Sequence, residues 1–423
     1  MVLGFGVATA FFLPIEVAVF AIYTCALGAI SICLTSASGS IFSPWGFFFQ
    51  YTLFTTLAAI LVAETAGFAE GFLPADLITT RLLVILALFF TALALGLLTY
   101  RRRDGQVDDQ QRSLRRSHAA IILVAYALIG LPALYRVGLL GMYGPGSWSV
   151  DKQFATGVLS QIDVAASLLP LVGISILLFE VQERRAWVIP GPGVLLLALW
   201  ATVSLILGTR DEVLGPVILL LWAYNYRLRR VNVMAFLTIF LVGFAILAWV
   251  GLARAGNEIG VTSEMVRPVA SGVNTTALTV DAIASGGALL HGRSYVAAIA
   301  NLIPGLPLSG LIGLEPAASD FRNLINYTSP SGLGFSPIAE AYWNFGLAGI
   351  AVIPVGVGLL VAYSYGRASA FPVRPISLLY PVILCRLPIA LRSDFLQQAK
   401  GVAIVMLAIW IAYILTYQNR AKA

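Results

Sequence analysis

The sequence predicts an all-α fold, a polytopic bundle of transmembrane helices, from three observations. Hydrophobic residues make up 59% of the 423 residues and charged residues only 11%. Mean hydropathy is +0.89, and the charged fraction of a soluble domain is about 25%. The apolar residues also fall in runs close to the ~20 residues that a membrane span requires. Too few charges remain to cover a water-facing surface, so we expect one integral membrane domain over residues 1–423 and not several soluble domains.

Eleven apolar stretches are candidate spans, and the sixth and seventh are short. Residues 1–34 are long enough to contain a further half-span, which would raise the number to twelve. The N-terminus has neither a basic region nor a small-residue cleavage site, so we interpret it as a span and not as a signal peptide. The spans cover about residues 13–34, 43–63, 78–100, 117–135, 161–181, 193–208, 213–226, 232–252, 337–363, 376–391 and 397–417.

The positive charges predict the orientation. Short polar stretches with an excess of Lys and Arg face the cytoplasm, and alternate connections of this chain hold fifteen of its 26 cations. These connections include Arg101–Arg116 and the C-terminal end with Arg420 and Lys422. The C-terminus is therefore predicted to be cytoplasmic and, with eleven spans, the N-terminus lies outside.

Segment 253–336 is the large extramembrane segment, on the outer face. Gly, Pro and Asn punctuate its mildly apolar runs, and we expect short helices there. Its four arginines face five acidic residues, so its net charge is −1 and it is not a nucleic-acid surface. The three cysteines and two histidines of the chain are scattered, and they predict neither a disulfide framework nor a metal site.

Residues 332–346 enter the ninth span with a polar pattern. Ser336 is predicted to cap the helix and Pro337 to occupy its first position. Glu340 and Asn344 are four residues apart and share a helix face. Two readings of Glu340 stay open, a carboxylate that offsets the positive helix end and a general base or sugar-orienting group. Tyr342 and Trp343 are aromatic residues of the kind found in membrane-interface belts.

Arginines recur at the predicted outer ends of the spans, where charge near a bilayer suggests function. Arg210 lies between two short spans, next to Asp211 and Glu212, either as an anion clamp held by one of these acids or as a snorkelling side chain. Arg254 follows the eighth span as an anion ligand or as a complement to the helix dipole. Nearly all cations are arginine, which binds phosphate bidentately, although codon bias explains the overall excess equally well.

Two further arginines precede helical runs. Ser294 is predicted to cap a helix over 295–302, with Arg293 and the free amides as an anion site. His291 beside them is a weaker candidate for a base. Arg392 either pairs with Asp394 or binds an anion. Arg386, inside the tenth span, requires a carboxylate or a ligand as its partner.

The pattern of residues 205–400 resembles bacterial O-antigen polymerases of the Wzy type. Residues 332–346 (Gly-Leu-Gly-Phe-Ser-Pro-Ile-Ala-Glu-Ala-Tyr-Trp-Asn-Phe-Gly) are similar to that family's glycine-rich run into E-x-Y-x-N-x-G. Gly292-Arg293-Ser294-Tyr295 with Ile303-Pro304, Gly208-Thr209-Arg210, and Arg392-Ser393-Asp394 resemble further family segments. One large periplasmic loop late in a chain of ten or more spans fits the same family.

The resemblance implies a GT-C-like membrane glycosyltransferase with a periplasmic active site in the bacterial inner membrane. Its substrates would be undecaprenyl-diphosphate-linked oligosaccharides in the bilayer, and loop 253–336 would form part of the site. No metal and no cofactor would be needed, and a membrane protein that regulates chain length is suggested as a partner. The implied catalytic residues are Glu340 and, as runner-up, His291. The implied diphosphate-binding residues are Arg210, Arg254, Arg293, Arg322 and Arg392, and the sugar-binding or supporting residues are Asp211, Tyr295, Tyr342, Asn344 and Asp394.

Three alternatives stay open from the sequence. An O-antigen ligase would share the fold and use a lipid A core acceptor. A transporter or lipid-oligosaccharide flippase would place charges along a central path, and here Asp163, Glu180 and Arg386 are the charges at membrane depth that fit it. A structural or assembly protein would make the outer polar groups incidental.

Overall fold

Helices are the regular elements of the computed structural model wherever the chain is described, and no strand occurs in that part. The structure describes residues 15–38, 40–65, 80–99, 119–144, 158–180, 191–207, 210–227, 231, 238, 261–302, 308, 312–314, 317–324, 335–368, 375–387 and 393–420. Thirteen α-helices are bounded in these ranges. The all-α prediction is confirmed for the described chain.

The helices up to residue 227 match the first seven predicted spans in order. They are α1 Ile15–Ser38, α2 Pro44–Thr65, α3 Thr80–Leu97, α4 Ala119–Tyr143, α5 Val158–Glu180, α6 Gly191–Leu207 and α7 Arg210–Arg227. The later helices are α8 Val261–Ala284, α9 Arg293–Ala300, α10 Ala317–Leu324, α11 Pro337–Ala368, α12 Leu379–Cys385 and α13 Phe395–Arg420, with a 3-10 turn at Pro375–Leu378.

Five of the described helices are long and apolar enough to cross a membrane by length and composition. Four shorter apolar helices accompany them, at Ala165–Leu178, Gly191–Leu207, Glu212–Asn225 and Pro375–Cys385. The predicted span 232–252 lies outside the described residues except for residue 238. A helical membrane protein is therefore supported, and the count of eleven spans stays a prediction.

The chain forms two compact units, each built from separated stretches of sequence. Unit 1 contains Met1–Arg101, Gly251–Ala362 and Ile389–Ala399. Its helices α1, α2, α3 and α8 pack against one another. Aromatic rings fill part of this packing, with Tyr51 stacked on Phe89 at a centroid distance of 6.0 Å.

Helix α8 differs from the short helices expected in segment 253–336. It has 24 residues and contacts α2 and α3. Its buried face combines Val273 and Ala277 with hydroxyl residues such as Thr276, whose Oγ1 donates to the carbonyl of Gly272 over 2.7 Å. The hydroxyl residues lower the mean hydropathy of α8, so an apolar span is not predicted there from the sequence. They can still be buried, because their hydroxyl groups bond to backbone carbonyls of the same helix. Among the described residues of the segment, α9 and α10, with eight residues each, are the short helices of the expected kind.

Helices α3 and the first part of α11 run in the same direction within unit 1. Arg81, near the start of α3, contacts Tyr342 near the start of α11. Further along, Gly96 lies against Gly358, and a Cβ on Gly96 would be 2.3 Å from the carbonyl oxygen of Val355. Only glycine allows this approach. The parallel arrangement places the starts of both helices at the same end, and the assignment of that end to the outer side stays a prediction.

Helix α11 is broken at Gly346, although the sequence predicts one continuous span over 337–363. Gly346 has φ 60° and ψ −142°, a conformation outside the helical region that glycine adopts readily. A short helical segment, residues 337–345, therefore precedes a longer apolar one. Glu340, Tyr342 and Asn344 all lie in the short segment, so the break separates them from the longer apolar part of the helix.

Unit 2 contains Arg102–Val250, Tyr363–Pro388 and Lys400–Ala423. In it α5 and α6 pack on α4, while α7 contacts α5, α6 and α12. Gly173 lies so close to α4 that a Cβ there would be 2.7 Å from the carbonyl oxygen of Ala125. Small residues at such crossings allow helix backbones to approach closely, as in other membrane bundles.

Candidate functional site

The first turn of α11 forms as the sequence predicts. Ser336 precedes the helix, and its Oγ accepts the N–H of Ile338 over 3.2 Å. Its carbonyl oxygen accepts the N–H of Glu340 over 2.9 Å. Pro337 occupies the first helical position, where its missing N–H leaves no bond unmade. These predictions are confirmed, and they fix where the side chain of Glu340 points.

Two carbonyl groups of the short segment, just before the break at Gly346, accept hydrogen bonds from residues 290 and 291. The N–H of Leu290 donates to the carbonyl of Trp343 over 2.9 Å, and that of His291 donates to the carbonyl of Asn344 over 3.0 Å. The start of α9 is thereby joined to the end of the short segment. The glycine that ends the motif thus has a structural role, which the sequence reasoning missed.

Glu340 is the centre of a hydrogen-bonded group of residues, which we call the Glu340 cluster: Glu340, Ser294, Asn344, Asp394 and Phe395. The carboxylate of Glu340 is 1% exposed. Its Oε1 accepts the hydroxyl of Ser294 over 2.7 Å, and its Oε2 accepts the backbone N–H of Phe395 over 2.6 Å. Because Phe395 is the first residue of α13, the carboxylate also lies at the positive end of that helix.

Asn344 completes the cluster from the same face of α11, as its spacing from Glu340 predicts. Its Nδ2 donates to the Oγ of Ser294 over 2.7 Å and to the carbonyl of Glu340 over 2.8 Å. Its side chain is fully buried, and its Oδ1 has no hydrogen-bond partner within the described residues. One acceptor of the cluster is therefore open to a donor from outside it.

Ser294 has a different role from the predicted cap. Helix α9 begins at Arg293 after Gly292, whose φ of 86° suits the glycine at that position. Ser294 is in the first turn, is 1% exposed, and uses its hydroxyl for Glu340. The cap prediction is wrong because the left-handed glycine starts the helix one residue earlier than expected. Ser294 and Phe395 are the cluster residues that the sequence did not assign to the site.

Asp394 brings a second buried carboxylate close to Glu340. It precedes α13 and caps it, since its Oδ1 accepts the N–H of Gln397 over 3.0 Å. It is 3% exposed and close enough for its charge to oppose that of Glu340. Two carboxylates thus share the N-terminal end of one helix, each bound to a different backbone N–H.

Three aromatic rings lie beside the cluster. Tyr295 follows Ser294, and its ring meets that of Phe395 edge to face at 5.3 Å and stacks on that of Phe345 at 6.1 Å. Burial, followed by the negative charge of Glu340, raises the pKa of the Tyr295 hydroxyl. Tyr295 therefore stays protonated at neutral pH. Phe345 and Phe395 are 42% and 40% exposed, so this group also has an accessible surface.

Tyr342 and Trp343 are buried inside unit 1, and the prediction that they belong to an interfacial belt is wrong. Each is 3% exposed. The Nε1 of Trp343 donates to the carbonyl of Ala288 over 3.2 Å, and the hydroxyl of Tyr342 accepts Nη2 of Arg81 over 2.9 Å. Their polar atoms find protein partners, which makes burial favourable.

His291 and Arg293 are close to the cluster in sequence and are exposed. His291 has a φ of 48°, an unusual value for a residue other than glycine. Its backbone N–H joins it to α11, and its side chain lies outside the hydrogen bonds of the Glu340 cluster. Arg293 is the first residue of α9, one position before Ser294. Of the predicted diphosphate ligands, it is the one whose described side chain adjoins the cluster.

The structure describes less of the other predicted arginines. Arg210 and Asp211 begin α7 in unit 2, as the resemblance predicts for the start of a middle helix, and Arg322 is in α10. The side chains of these three residues, and residues Arg254 and Arg392 as a whole, lie outside the described part of the chain. Their roles as ligands stay predictions.

Glu212 binds a different arginine, one that the sequence analysis did not single out. Arg136 in α4 is fully buried, with its Nη1 2.9 Å from Oδ1 of Asp163 and its Nη2 2.6 Å from Oε2 of Glu212. The charge of Glu212 also acts on Arg386. The expectation that Arg386 pairs with a carboxylate or a ligand stays a prediction. The sequence feature that could have identified Arg136 is its position as an arginine within an otherwise apolar run, Ala133-Leu134-Tyr135-Arg136-Val137.

No group of three or more potential metal-ligating side chains occurs among the residues whose placement is described. Within the Glu340 cluster, each carboxylate oxygen of Glu340 accepts one hydrogen bond, one from the hydroxyl of Ser294 and the other from the backbone N–H of Phe395.

Comparison with known families matches residues 1–421 to the family described as O-antigen polysaccharide polymerase Wzy. No curated protein matches the chain, and no solved structure does either. The family match covers the N-terminal 200 residues as well, where the sequence resembled only generic spans. It favours neither the ligase nor the transporter alternative. A match over nearly the whole chain, with helices apolar enough to span a bilayer, shows that this chain belongs to the O-antigen polysaccharide polymerase Wzy family.

Proposed function

We propose that the protein polymerises undecaprenyl-diphosphate-linked oligosaccharide repeat units at the periplasmic face of the bacterial inner membrane. Family membership supports polymerisation of O-antigen in general. The finer proposal is supported most by the Glu340 cluster, in which residues from 294, from 340–344 and from 394–395 meet around one buried carboxylate. Three of the four segments that resemble the family, those around Ser294, Glu340 and Asp394, thus meet within unit 1.

In the proposed step the acceptor sugar's hydroxyl oxygen attacks the anomeric carbon of the donor glycan. The bond from that carbon to the diphosphate oxygen breaks, and the undecaprenyl diphosphate leaves with the electron pair. Glu340 accepts the proton of the acceptor hydroxyl. No further reactant is needed, because the glycosyl–diphosphate bond supplies the leaving group.

Glu340 keeps hydrogen-bond acceptor positions of the kind that a base uses. Its two oxygens each accept one hydrogen bond, and a carboxylate has about four acceptor positions, so positions for a substrate hydroxyl remain. The open Oδ1 of Asn344 is suited to a second sugar hydroxyl. Since Glu340 is 1% exposed, an acceptor reaches it after a local opening. Tyr295 and Phe395, which adjoin the two donors of the carboxylate, are the side chains that would move.

The leaving diphosphate requires positive charge, since its negative charge increases in the transition state. Arg293 adjoins the cluster and is exposed, so it is our first candidate. We retain Arg210, Arg392, Arg254 and Arg322 as further candidates. Arginine stabilises phosphate oxygens by bidentate hydrogen bonds, and we propose that these residues act without a metal ion.

The reaction is tested with purified protein in proteoliposomes and an undecaprenyl-diphosphate-linked repeat unit as the only substrate. We expect a ladder of longer lipid-linked chains and release of one undecaprenyl diphosphate per added unit, with EDTA present and no divalent metal added. Absence of chain extension would contradict the proposed function. Loss of extension on chelation, restored by a divalent metal, would contradict the arginine-only stabilisation.

The choice of base is tested in the same assay by Glu340→Gln and His291→Gln. The first variant should lose at least about 100-fold in rate, within the range by which general base catalysis accelerates reactions. The second should keep the wild-type rate. The opposite pattern would assign the base to His291.

A further inference from the structure

Arg81 and Tyr342 form a contact that the reaction described above does not use. Arg81 is the second residue of α3 and its side chain is exposed. One of its nitrogens, Nη2, donates to the hydroxyl of the buried Tyr342 over 2.9 Å. Tyr342 belongs to the same short helical segment as Glu340 and Asn344. The motif that carries the Glu340 cluster therefore also orients an exposed guanidinium.

Stability does not explain this arginine well. A cation in the first turn of a helix opposes the positive end of the helix dipole, and the first turn of α3 holds no acidic residue to compensate. Among the described residues, no carboxylate lies within ion-pair distance of Arg81. The predicted orientation also places it on the outer side, against the usual bias of cations toward the cytoplasm. An arginine that is unfavourable for stability at this position suggests that it binds a ligand.

We propose that Arg81, held by the hydroxyl of Tyr342, binds an anionic oxygen of the diphosphate on a lipid-linked substrate. The proposal rests on the proposed function and adds a ligand to it. Tyr342 occupies one of the five N–H donors of the guanidinium, so a pair of parallel donors remains for a phosphate. Because Tyr342 is buried in the short segment of α11, its hydroxyl holds that pair at the start of the segment, two residues along the chain from Glu340. Lysine could supply the charge but not the oriented pair.

Binding is measured first, without turnover. Purified protein in nanodiscs is titrated with undecaprenyl diphosphate, undecaprenyl monophosphate and undecaprenol. Arg81→Gln should weaken diphosphate binding by about 10- to 100-fold, the range for one charge-assisted hydrogen bond, and leave undecaprenol unchanged. Arg367→Gln is the matched control, since Arg367 is an exposed arginine 5.3 Å from the ring of Tyr363 in the last turn of α11. Equal diphosphate affinity of wild type and Arg81→Gln, or equal loss in both variants, would overturn the proposal.

A double-mutant cycle with Tyr342→Phe tests the contact itself. Tyr342→Phe should weaken diphosphate binding severalfold, and the double variant should bind like Arg81→Gln alone, because the tyrosine acts through the arginine. Additive effects would overturn the orienting role of Tyr342. Arg81→Lys retains the charge and serves if Arg81→Gln does not fold. Wild-type affinity for the diphosphate in Arg81→Lys would overturn the requirement for an oriented pair of donors.

The same variants in the polymerisation assay separate the two proposals. We expect Arg81→Gln to raise the KM for the lipid-linked unit more than it lowers kcat. If the wild-type protein binds the diphosphate but extends no chains, the proposed reaction is contradicted and the Arg81 site is not. If Arg81→Gln extends chains with an unchanged KM, the Arg81 site is contradicted and the proposed reaction is not.

Discussion

The hydroxyl of Ser294 donates a 2.7 Å hydrogen bond to Oε1 of Glu340, across 46 positions of sequence. This bond joins a short helix from the large predicted outer segment to the first turn of α11. The same carboxylate accepts the first backbone N–H of α13. One side chain therefore connects three elements, and changes at Glu340 must be designed to separate its structural role from a chemical one.

Glutamine at position 340 makes that separation. Its carbonyl oxygen can accept the N–H of Phe395 and its amide can meet the Oγ of Ser294, so Glu340→Gln should fold like the wild type while losing polymerisation. Glu340→Ala leaves the Phe395 N–H and the Ser294 hydroxyl buried without their acceptor, and should lower the free energy of unfolding by about 1–3 kcal/mol. Thermal unfolding in detergent and the ladder assay measure the two effects. Full polymerisation activity of Glu340→Gln would show that Glu340 has a structural role and no catalytic one.

Ser294→Ala should affect both stability and rate. The substitution removes the donor of Glu340 Oε1 and an acceptor of Asn344, at a cost of about 1–3 kcal/mol for buried polar groups left unpaired. We expect kcat to fall about 10-fold with little change in KM, because Ser294 acts through Glu340 and not on the substrate. Ser175→Ala is the matched control, since Ser175 is fully buried and its Oγ has no hydrogen-bond partner in the described residues. Equal effects of the two substitutions would contradict a positioning role for Ser294.

Arg136→Met should be the most destabilising change in unit 2. It removes the cation that binds the carboxylates of both Asp163 and Glu212, and breaking a buried pair in this way costs about 3–5 kcal/mol. The triple variant Arg136→Met, Asp163→Leu, Glu212→Met should recover much of this loss, since it removes the buried charges together. Stability in detergent compares these variants with Arg367→Met, which removes an exposed arginine. Near-wild-type stability of Arg136→Met would show that the ion pairs contribute little.

Gly346→Ala should destabilise the break in α11 through backbone strain. Space is available, because the nearest atom to an added Cβ is Cδ1 of Leu289 at 4.0 Å, but the φ of 60° with ψ of −142° disfavours a side chain. We expect a loss of about 1–3 kcal/mol, together with reduced activity as the short segment is pulled toward a continuous helix. Gly356→Ala, with no atom within 4 Å of its added Cβ, is the control and should be neutral or stabilising. A neutral Gly346→Ala would show that the break does not depend on glycine.

The local structure of the motif around Glu340 follows from the sequence. Ser336 as cap, Pro337 as first residue, and the shared face of Glu340 and Asn344 are set by neighbouring backbone geometry, which spacing reveals. The break at Gly346 was missed because a glycine in an apolar run reads equally well as part of a span. The bonds from Leu290 and His291 that stabilise the break come from a distant segment, and spacing along one helix gives no information about them.

The sequence by itself determined that the chain is a helical membrane protein and which segments carry the polar motifs, because both are properties of composition and local order. Only the tertiary structure decided which polar groups meet. It paired Glu340 with Ser294 and the amide of Phe395, Tyr342 with Arg81, and Glu212 with Arg136. A buried polar group must find a partner wherever the packing of helices brings one, and that packing depends on contacts between residues far apart in the chain. The partners of a buried charge therefore cannot be predicted from sequence position, because they are selected by which side chains are buried together.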